Sequence, residues 1–258
     1  MEAANSAKER VDGLVGTLEA KRVLGLGAGG DLTKKIDRVA EEAIIEVLNR
    51  HKISCTLVSE EVGFKNIGER SNIYVVVDPV DGTSNAVHGL EFYATSIAVS
   101  DKPSLEGVFQ GIVMNLKSGS VFQAEKSKGA YRDGKPIRVS NHASFKESIV
   151  GLDLNGVDEA QLRKASPLIL NFRHLRHFGA SALELCYVAA GLIDAYIDLR
   201  GKIRVTDLAA GYLIVKEAGG VLLTTGGEEV NIPLAPQSRA AVIAGNKAIC
   251  ELILEKIR

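Results

Sequence analysis

The stretch Ile73-Tyr-Val-Val-Val-Asp-Pro-Val-Asp-Gly-Thr-Ser-Asn85 decides how this chain is interpreted. Its first five residues are rich in β-branched side chains, which is typical of a short strand buried on both faces of a sheet. Asp78 and Asp81 follow where that strand meets solvent. Pro79 fixes φ and biases Asp78 toward an extended backbone, so the two carboxylates and the Val80 carbonyl can surround common cations.

Oxygen ligands of this kind suit Mg²⁺, which prefers hard donors in near-octahedral geometry. Gly82, Thr83 and Ser84 come next and offer backbone N–H groups. A helix that begins there would direct the positive end of its dipole at a phosphate. The stretch therefore predicts a metal-dependent phosphate site. The alternative is a plain turn in which the aspartates accept hydrogen bonds from backbone groups.

Three further carboxylates stand at the ends of predicted elements and favour the first interpretation. Glu60 is the first acid after an apolar strand, while Asp207 and Asp37 each open a predicted helix. A structural N-cap is the alternative explanation of Asp207. The glycine-rich segment 25–30 is interpreted as a mobile loop that can carry Asp37 over the site, with a plain linker as the alternative.

Four ordered motifs together resemble the inositol monophosphatase family of Mg²⁺-dependent, lithium-sensitive sugar phosphatases. The D-P-[ILV]-D-G-T-[ST]-N signature is present from Asp78 to Asn85, and the W-D-x-A-A-G signature from Thr206 to Gly211, with threonine in place of tryptophan. The G-E-E element appears as Ser59-Glu60-Glu61. A D-x-x-T-x-x-D-like loop runs from Asp31 to Asp37, with its threonine moved by one position. The resemblance covers nearly the whole chain.

Two further segments, Arg176 to Leu185 and Asp198 to Asp207, are most similar to the archaeal branch that acts on both fructose 1,6-bisphosphate and inositol monophosphate. The resemblance implies a Mg²⁺-dependent phosphomonoester hydrolase acting on one or both of these substrates. Two alternatives stay open. One is a 3′(2′),5′-bisphosphate nucleotidase or NADP phosphatase, which shares the metal ligands, and the other is a non-catalytic regulatory or RNA-linked member. The intact acidic motifs argue against the second alternative.

The resemblance also implies the roles of individual residues. The metal ligands are Glu60, Asp78, the Val80 carbonyl, Asp81 and Asp207, for two to three Mg²⁺ ions that Mn²⁺ can replace. The catalytic residues are Asp37, Glu60 and Thr83. Water held by Glu60 and the Thr83 hydroxyl attacks the phosphorus in line, and no phosphoenzyme is required.

The residues implied in substrate binding are Asp81, Gly82, Thr83, Ser84, Gly179, Ala180, Ser181, Asp198, Arg200 and Arg204. Asp198 matches an acidic residue that binds sugar hydroxyls in the family, with two extra residues between it and Asp207. Arginine suits a second phosphate because its planar fork donates bidentate hydrogen bonds. The candidates are Arg173, Arg176, Arg200 and Arg204. A solvated surface charge or an ion pair with Asp198 is the alternative for any of them.

Composition excludes several other classes of protein. The chain has 258 residues, 46% of them hydrophobic, and contains no apolar run near the roughly 20 residues that span a membrane. No secretory signal is visible, so we expect cytoplasmic residence and no membrane partner. The net charge of −1 indicates no broad attraction to nucleic acid. The resemblance implies a homodimer.

The order of predicted elements indicates an α+β fold. Residues 1–140 are predicted to contain an N-terminal helix pair, its second helix over 37–49, and an antiparallel sheet that carries most metal ligands. The strands of that sheet are predicted near 53–58, 73–77, 92–99, 107–115 and 119–124. Asp133-Gly134 marks a hairpin turn between strands at 130–132 and 137–139.

Residues 141–258 are predicted to form a second, α/β half. Its helices are predicted at 181–191, 207–218 and 245–257, alternating with strands near 148–152, 194–199, 221–225 and 240–244. The resemblance implies a layered α-β-α-β-α sandwich. We expect the active site in the cleft between the halves, because Asp78 and Asp81 come from one half and Asp207 from the other.

Overall fold

The computed structural model describes residues 1–257, and the secondary structure in that range comprises seven α-helices and fifteen β-strands. The helices are α1 Glu2–Asp12, α2 Lys35–Arg50, α3 Thr83–His88, α4 Glu159–Asn171, α5 Ser181–Ala189, α6 Val205–Glu217 and α7 Lys247–Ile257. The strands are β1 Val23–Leu26, β2 Leu32–Lys34, β3 Cys55–Ser59, β4 Gly63–Ile67, β5 Tyr74–Asp81, β6 Ala94–Ser100, β7 Val108–Asn115, β8 Val121–Glu125, β9 Ala130–Arg132, β10 Lys135–Pro136, β11 Ile149–Asp153, β12 His174–Arg176, β13 Ala195–Arg204, β14 Val221–Leu223 and β15 Arg239–Gly245.

These elements stack in five layers. Helices α1 and α2 cover one face of an eight-stranded sheet with the order β10-β9-β8-β7-β6-β5-β3-β4. Helices α5 and α6 lie between that sheet and a five-stranded sheet with the order β12-β11-β13-β15-β14, and α4 and α7 cover the far side of the second sheet. The predicted α-β-α-β-α sandwich is therefore confirmed.

Burial patterns explain why each helix occupies its layer. In α1 the buried residues are Ala4, Ala7 and Val11, whose spacing gives the helix one apolar face, as expected of an outer layer. In α6 the eleven consecutive residues from Val205 to Val215 are all buried. A helix with no solvent-facing side can be stable only when apolar layers enclose it, and α6 contacts both sheets.

Strand β5 is the central element for the site. Its residues from Val75 to Asp81 are buried, and it pairs in parallel with β3 and antiparallel with β6. The predicted sheet was purely antiparallel, which is wrong at this one pairing. The reason is that β4 forms a hairpin on the outer edge of β3, so the chain returns to place β5 on the other side of β3, pointing the same way.

Other element boundaries differ from the sequence predictions in detail. The hairpin turn at Asp133-Gly134 is confirmed, with φ of 50° and 76°, but its second strand is β10 at 135–136 and not 137–139. Helix α4 and strands β1, β2, β4 and β12 were not predicted. The division predicted at residue 140 remains a prediction, and it falls between the last strand of the first sheet and the first strand of the second.

Within residues 1–257, no helix combines the length and apolar character needed to cross a membrane.

The close approach of α5 and α6 gives a test of the packing. A Cβ added at Gly211 would lie 2.7 Å from Leu185 Cδ1 and 2.9 Å from Leu185 Cβ, so the two helices would have to separate. Overpacking of this kind costs about 1–3 kcal/mol, and the better helix propensity of alanine offsets up to about 1 kcal/mol. We expect Gly211→Ala to lower the free energy of unfolding in urea. Gly25→Ala is the matched control, since its Cβ would have no neighbour within 4 Å. Equal stability of the two variants would contradict this packing.

Candidate active site

Two neighbouring strands of the first sheet and one helix of the middle layer bring carboxylates to one point. Glu60 follows the end of β3, Asp78 lies near the end of β5, and Asp207 is the third residue of α6. One carboxylate oxygen from each of the three lies within 4.8 Å of the others. The two predicted halves of the chain therefore meet at this cluster.

A bulge in β5 places Asp81 beside Asp78. Residues three apart in a regular strand point to opposite faces of the sheet. Here Asp78 pairs with Ser96 and Asp81 pairs with Ala94, so β5 contains one residue more than β6 across this interval. Pro79 lies inside the bulge, where its missing N–H leaves no ladder bond unmade. The bulge thus brings both carboxylates to the same face of the sheet.

Asp81 also caps α5 across the molecule. Its Oδ1 accepts a hydrogen bond from the backbone N–H of Ser181 at 3.2 Å, and its Oδ2 accepts one from Ala182 at 2.7 Å. Residue Ala180, which precedes the helix, has no side chain able to cap it. A carboxylate at a helix N-terminus satisfies free donors and interacts favourably with the helix dipole. This contact fixes the orientation of Asp81.

Thr83 and Asp37 form a hydrogen-bonded pair beside the cluster. The Thr83 hydroxyl has two acceptors in reach, Asp37 Oδ1 at 2.8 Å and the Val80 carbonyl at 2.9 Å. The other oxygen of Asp37 accepts the Lys34 N–H at 3.0 Å and so caps α2. With its proton directed at one of these acceptors, the Thr83 oxygen keeps lone pairs for a further donor such as water.

Burial and mutual repulsion dominate the electrostatics of the cluster. Burial, followed by the Asp207 carboxylate, raises the pKa of both Glu60 and Asp81 well above the ordinary value. Burial, then Glu60 and Asp207, raises the pKa of Asp78 in the same way. Burial also raises the pKa of Asp37 to about 6, although the hydrogen bond from Thr83 opposes the shift.

This donor set fits a hard divalent cation. The groups that converge are carboxylate oxygens, together with the Val80 carbonyl at the edge of the same cleft. Such ligands match Mg²⁺, and a bound cation would remove the repulsion that raises the pKa values of Glu60, Asp78 and Asp81. The cluster is therefore able to hold a metal.

The carboxylates open into a cleft of about 640 Å³. The predicted site residues line this cleft except Ala180 and Asp198, and of the four arginine candidates Arg200 and Arg204 line it whereas Arg173 and Arg176 do not. Ala180 is buried, and its Cβ lies 2.9 Å from where a Cβ on Gly82 would stand. Gly82 has a φ of 84°, so both its backbone and its surroundings require glycine.

Asp198 is fully buried and bonds to Arg200, whose Nε lies 3.0 Å from its Oδ2. Arg200 also contacts Asp153 Oδ2 at 2.5 Å and the Asn155 carbonyl at 3.0 Å, and its side chain is only 9% exposed. The ion pair offered as the alternative explanation of Arg200 is thus present. Arg200 nevertheless lines the cleft, and the role predicted for Asp198 in binding sugar hydroxyls stays a prediction.

Arg204 contacts Glu60 Oε1 at 2.8 Å and also pairs with Asp31. It therefore joins a predicted metal ligand to the glycine-rich loop. The loop is held from the same side by Arg239, which donates to the Gly29 carbonyl at 2.5 Å.

Several cleft residues were missed by the sequence analysis. Asp153 and Asn155 line the far end of the cleft, and Lys34 and Lys202 add positive charge. Asp153 is the last residue of strand β11 and follows its apolar residues, so the signal that identified Glu60, an acid directly after an apolar run, was also present here. Asn85 has a structural role, because its amide donates to the carbonyls of Phe92 and Phe178, both at 2.7 Å.

Comparisons with known proteins agree with this geometry. The family model described as "Inositol monophosphatase family" matches residues 1–258. A fructose-1,6-bisphosphatase/inositol-1-monophosphatase of Methanothermobacter thermautotrophicus is 37% identical over 98% of this chain and 93% of its own length. A crystal structure of an inositol monophosphatase–fructose 1,6-bisphosphatase superimposes with a TM-score of 0.85 at 29% identity, covering 99% of this chain and 96% of its own.

A bifunctional NADP phosphatase/NAD kinase of Methanococcus maripaludis is 38% identical over 95% of this chain, which spans 46%, about half, of that relative's length. The match over the full chain and the near full-length relative show that the chain belongs to the inositol monophosphatase family, a family of metal-dependent phosphatases, as its four motifs predicted.

Proposed function

We propose that the protein is a Mg²⁺-dependent phosphomonoester hydrolase acting on fructose 1,6-bisphosphate, inositol monophosphate or both. The observation that carries this proposal is the convergence of Glu60, Asp78 and Asp207 at the floor of a cleft. The same cleft offers the backbone of Gly82 and Thr83 to a phosphate. The relatives named for this pair of substrates support the choice of substrate class.

Two to three Mg²⁺ ions, which Mn²⁺ can replace, would be held by this site. The ligands would be Glu60, Asp78, the Val80 carbonyl, Asp81 and Asp207, with Asp37 near the position of a third ion. When bound, the ions supply positive charge that stabilises the entering and leaving oxygens of an in-line displacement.

The chain's own residues bind the phosphate and orient the attacking water. The Gly82 and Thr83 N–H groups bind phosphate oxygens, and the water lies between Glu60 and the Thr83 hydroxyl. Because the Thr83 proton is directed at Asp37 or the Val80 carbonyl, the Thr83 oxygen accepts from this water and holds it. The water oxygen bonds to phosphorus while the ester P–O bond breaks. Glu60 accepts the proton that the attacking water loses, a second water near Asp207 donates a proton to the leaving alkoxide, and solvent returns the Glu60 proton to the hydroxide so formed. Positioning of the reactants and electrostatic stabilisation of the transition state account for the rate enhancement.

NADP phosphatase activity is the second candidate, favoured by the relative of Methanococcus maripaludis. This activity requires the same carboxylates. It differs only in the part of the substrate that must fit the far end of the cleft. Phosphate release from fructose 1,6-bisphosphate, inositol monophosphate, adenosine 3′,5′-bisphosphate and NADP, measured with Mg²⁺ present, separates these substrates. Absence of release from all four would favour the non-catalytic alternative. Homodimer assembly remains a prediction from the family resemblance, and cytoplasmic location remains a prediction from the sequence.

Metal dependence is tested at Asp81. We expect phosphate release to stop in EDTA and to return with Mg²⁺ or Mn²⁺. Asp81→Asn should lower kcat by several orders of magnitude, because it removes one negative charge from the metal ligands. The amide oxygen can still accept one of the two α5 N–H groups, so a loss of stability of only about 1 kcal/mol is expected. Appreciable turnover in EDTA would contradict the proposed metal dependence.

The metal-free protein should become less stable as pH rises from about 4.5 to about 7. Burial raises the pKa of Asp37 from 3.8 to about 6 and that of Glu61 from 4.5 to about 7. The unfolded chain therefore loses these protons first, and the free energy of unfolding falls with pH until the folded-state pKa values are passed. Thermal unfolding in EDTA measures this decline, and Mg²⁺ should raise the melting temperature most at the upper end of the range. A melting temperature that rises with pH in EDTA would refute the assignment.

Substrate choice is tested by comparing Arg200→Ala with Arg204→Ala. If Arg200 binds the second phosphate, its loss should lower kcat/KM for the bisphosphate roughly ten- to a hundredfold and spare inositol monophosphate, as expected for one charge-assisted contact. Arg204→Ala should reduce both activities equally, because Arg204 contacts Glu60. Arg200→Lys keeps the charge and serves as the control for folding. Equal losses on both substrates from Arg200→Ala would indicate a structural arginine.

A further inference from the structure

Glu184, the fourth residue of α5, is a buried glutamate that no step of the proposed mechanism uses. The residue is 1% exposed, and its Oε2 is one of two buried side-chain oxygens in residues 1–257 that lack a hydrogen-bond partner. The other is Oε2 of Glu41 on α2, where Oε1 accepts bonds from Ser59 and the Val62 N–H. Unsatisfied buried carboxyl groups are unfavourable, so the position of Glu184 needs an explanation.

The partner of Glu184 is the turn that leads into its own helix. Its Oε1 accepts the Gly179 N–H at 3.2 Å. Gly179 has a φ of 80°, a backbone conformation that is strained for other residues. Glu184 therefore stabilises the inner side of a turn whose outer side lines the cleft at Gly179 and Ser181.

The same turn holds Asp81 and Asn85 from the other half of the chain. Ser181 and Ala182 donate to the Asp81 carboxylate, and the Phe178 carbonyl accepts from Asn85 at 2.7 Å. A displacement of residues 178–182 would therefore move substrate-facing groups and loosen the cap on Asp81 together.

Gly151 on β11 has no side chain, and the Glu184 carboxyl group occupies the space that one would fill. A Cβ at Gly151 would lie 2.5 Å from Glu184 Oε2 and 3.1 Å from Tyr196 Cδ2. The φ of Gly151 lies outside the range that favours glycine, so close approach and not backbone conformation requires glycine here. The carboxyl group is thus enclosed by the turn on one side and by β11 on the other.

The charge state of Glu184 agrees with this enclosure. Burial, with a smaller contribution from the Asp153 carboxylate, raises the pKa of Glu184 to about 8. The group is therefore neutral at pH 7 and adds no further negative charge near Asp81 and Asp153.

We propose that Glu184 is a positioning residue that holds the 178–182 turn between β11 and the cleft, in the geometry that binds the substrate. The role of this turn in substrate binding rests on the proposed function, whereas the contacts that Glu184 makes do not. A packing role alone would affect stability and leave substrate binding unchanged.

Kinetics on the best phosphate ester test the proposal through a double-mutant cycle. Glu184→Ala should raise KM about five- to tenfold and lower kcat as well, because the 178–182 turn both faces the substrate and caps Asp81. Glu184→Gln keeps the volume and the acceptor for Gly179, so it should resemble the wild type. Gly151→Ala should raise KM like Glu184→Ala, since the added methyl group displaces the carboxyl. The double variant should have a KM no higher than that of Glu184→Ala alone. Additive increases in KM would overturn the proposal.

Amide hydrogen exchange tests the same contact without any activity. Exchange in the peptide covering residues 178–185 should become faster in Glu184→Ala and Gly151→Ala and stay unchanged in Glu184→Gln. Glu41→Ala is the matched control, since it removes an equally buried glutamate and should speed exchange near residues 59–62 instead. Unchanged exchange at 178–185 in Gly151→Ala would overturn the proposal even if Glu184→Ala failed to fold. A protein that hydrolyses no phosphate ester, yet shows this local exchange pattern, would refute only the proposed function.

Discussion

Concentrated negative charge is the constraint on which the rest of this structure depends. Carboxylates held within 4.8 Å of one another repel, and burial adds a desolvation cost, so the fold must supply compensating positive charge. Helix N-termini provide part of it. Asp37 and Asp207 each lie at the third position of their own helix, α2 and α6, and Asp81 caps α5. Each such placement contributes about 0.3–1 kcal/mol.

The five layers make this arrangement possible. Helix α2 belongs to the outer layer of the first sheet, whereas α5 and α6 lie in the middle layer, yet all three begin at the same cleft. Burial, together with the remaining repulsion, raises the pKa values of Glu60, Asp78 and Asp81. A bound divalent cation would remove that repulsion. The helix N-termini that the layers bring together and the cation therefore both offset the negative charge of the carboxylates.

Local sequence patterns predicted those features that depend on local chemistry. The buried strand before Asp78 and the helix that contains Asp207 were recovered because apolar runs and motif spacing specify them directly, whereas the layered fold was predicted from the family resemblance. The β5 bulge was not foreseen, since it depends on pairing with Ser96 and Ala94, which are distant in the sequence. The strand expected at 137–139 was wrong for a similar reason. Its β-branched residues suit a strand, but only the Ile137 N–H still bonds to β9, at the Ala130 carbonyl, and the Val139 N–H bonds instead to the Ala218 carbonyl after α6.

Tertiary contacts also determine the roles of single residues, as the two cleft arginines show. Neither Arg200 nor Arg204 could be distinguished from a surface charge in the sequence. In the fold, the Arg200 guanidinium is fixed between Asp153 and Asp198, so its orientation is set before any substrate arrives. Such preorganisation lowers the entropy lost on binding but leaves less of its charge for a ligand.

Arg204 is placed differently, because its two partners are a predicted metal ligand, Glu60, and Asp31 in the glycine-rich loop. Any change in the charge around Glu60 must therefore alter the contact that holds this loop near the cleft. Gln237 and Arg239 bond to the same loop through the carbonyls of Ala28 and Gly29. The position of the glycine-rich segment is thus coupled to the charge on Glu60 through Arg204, whereas the contacts of Arg200 are with Asp153, Asp198 and the Asn155 carbonyl.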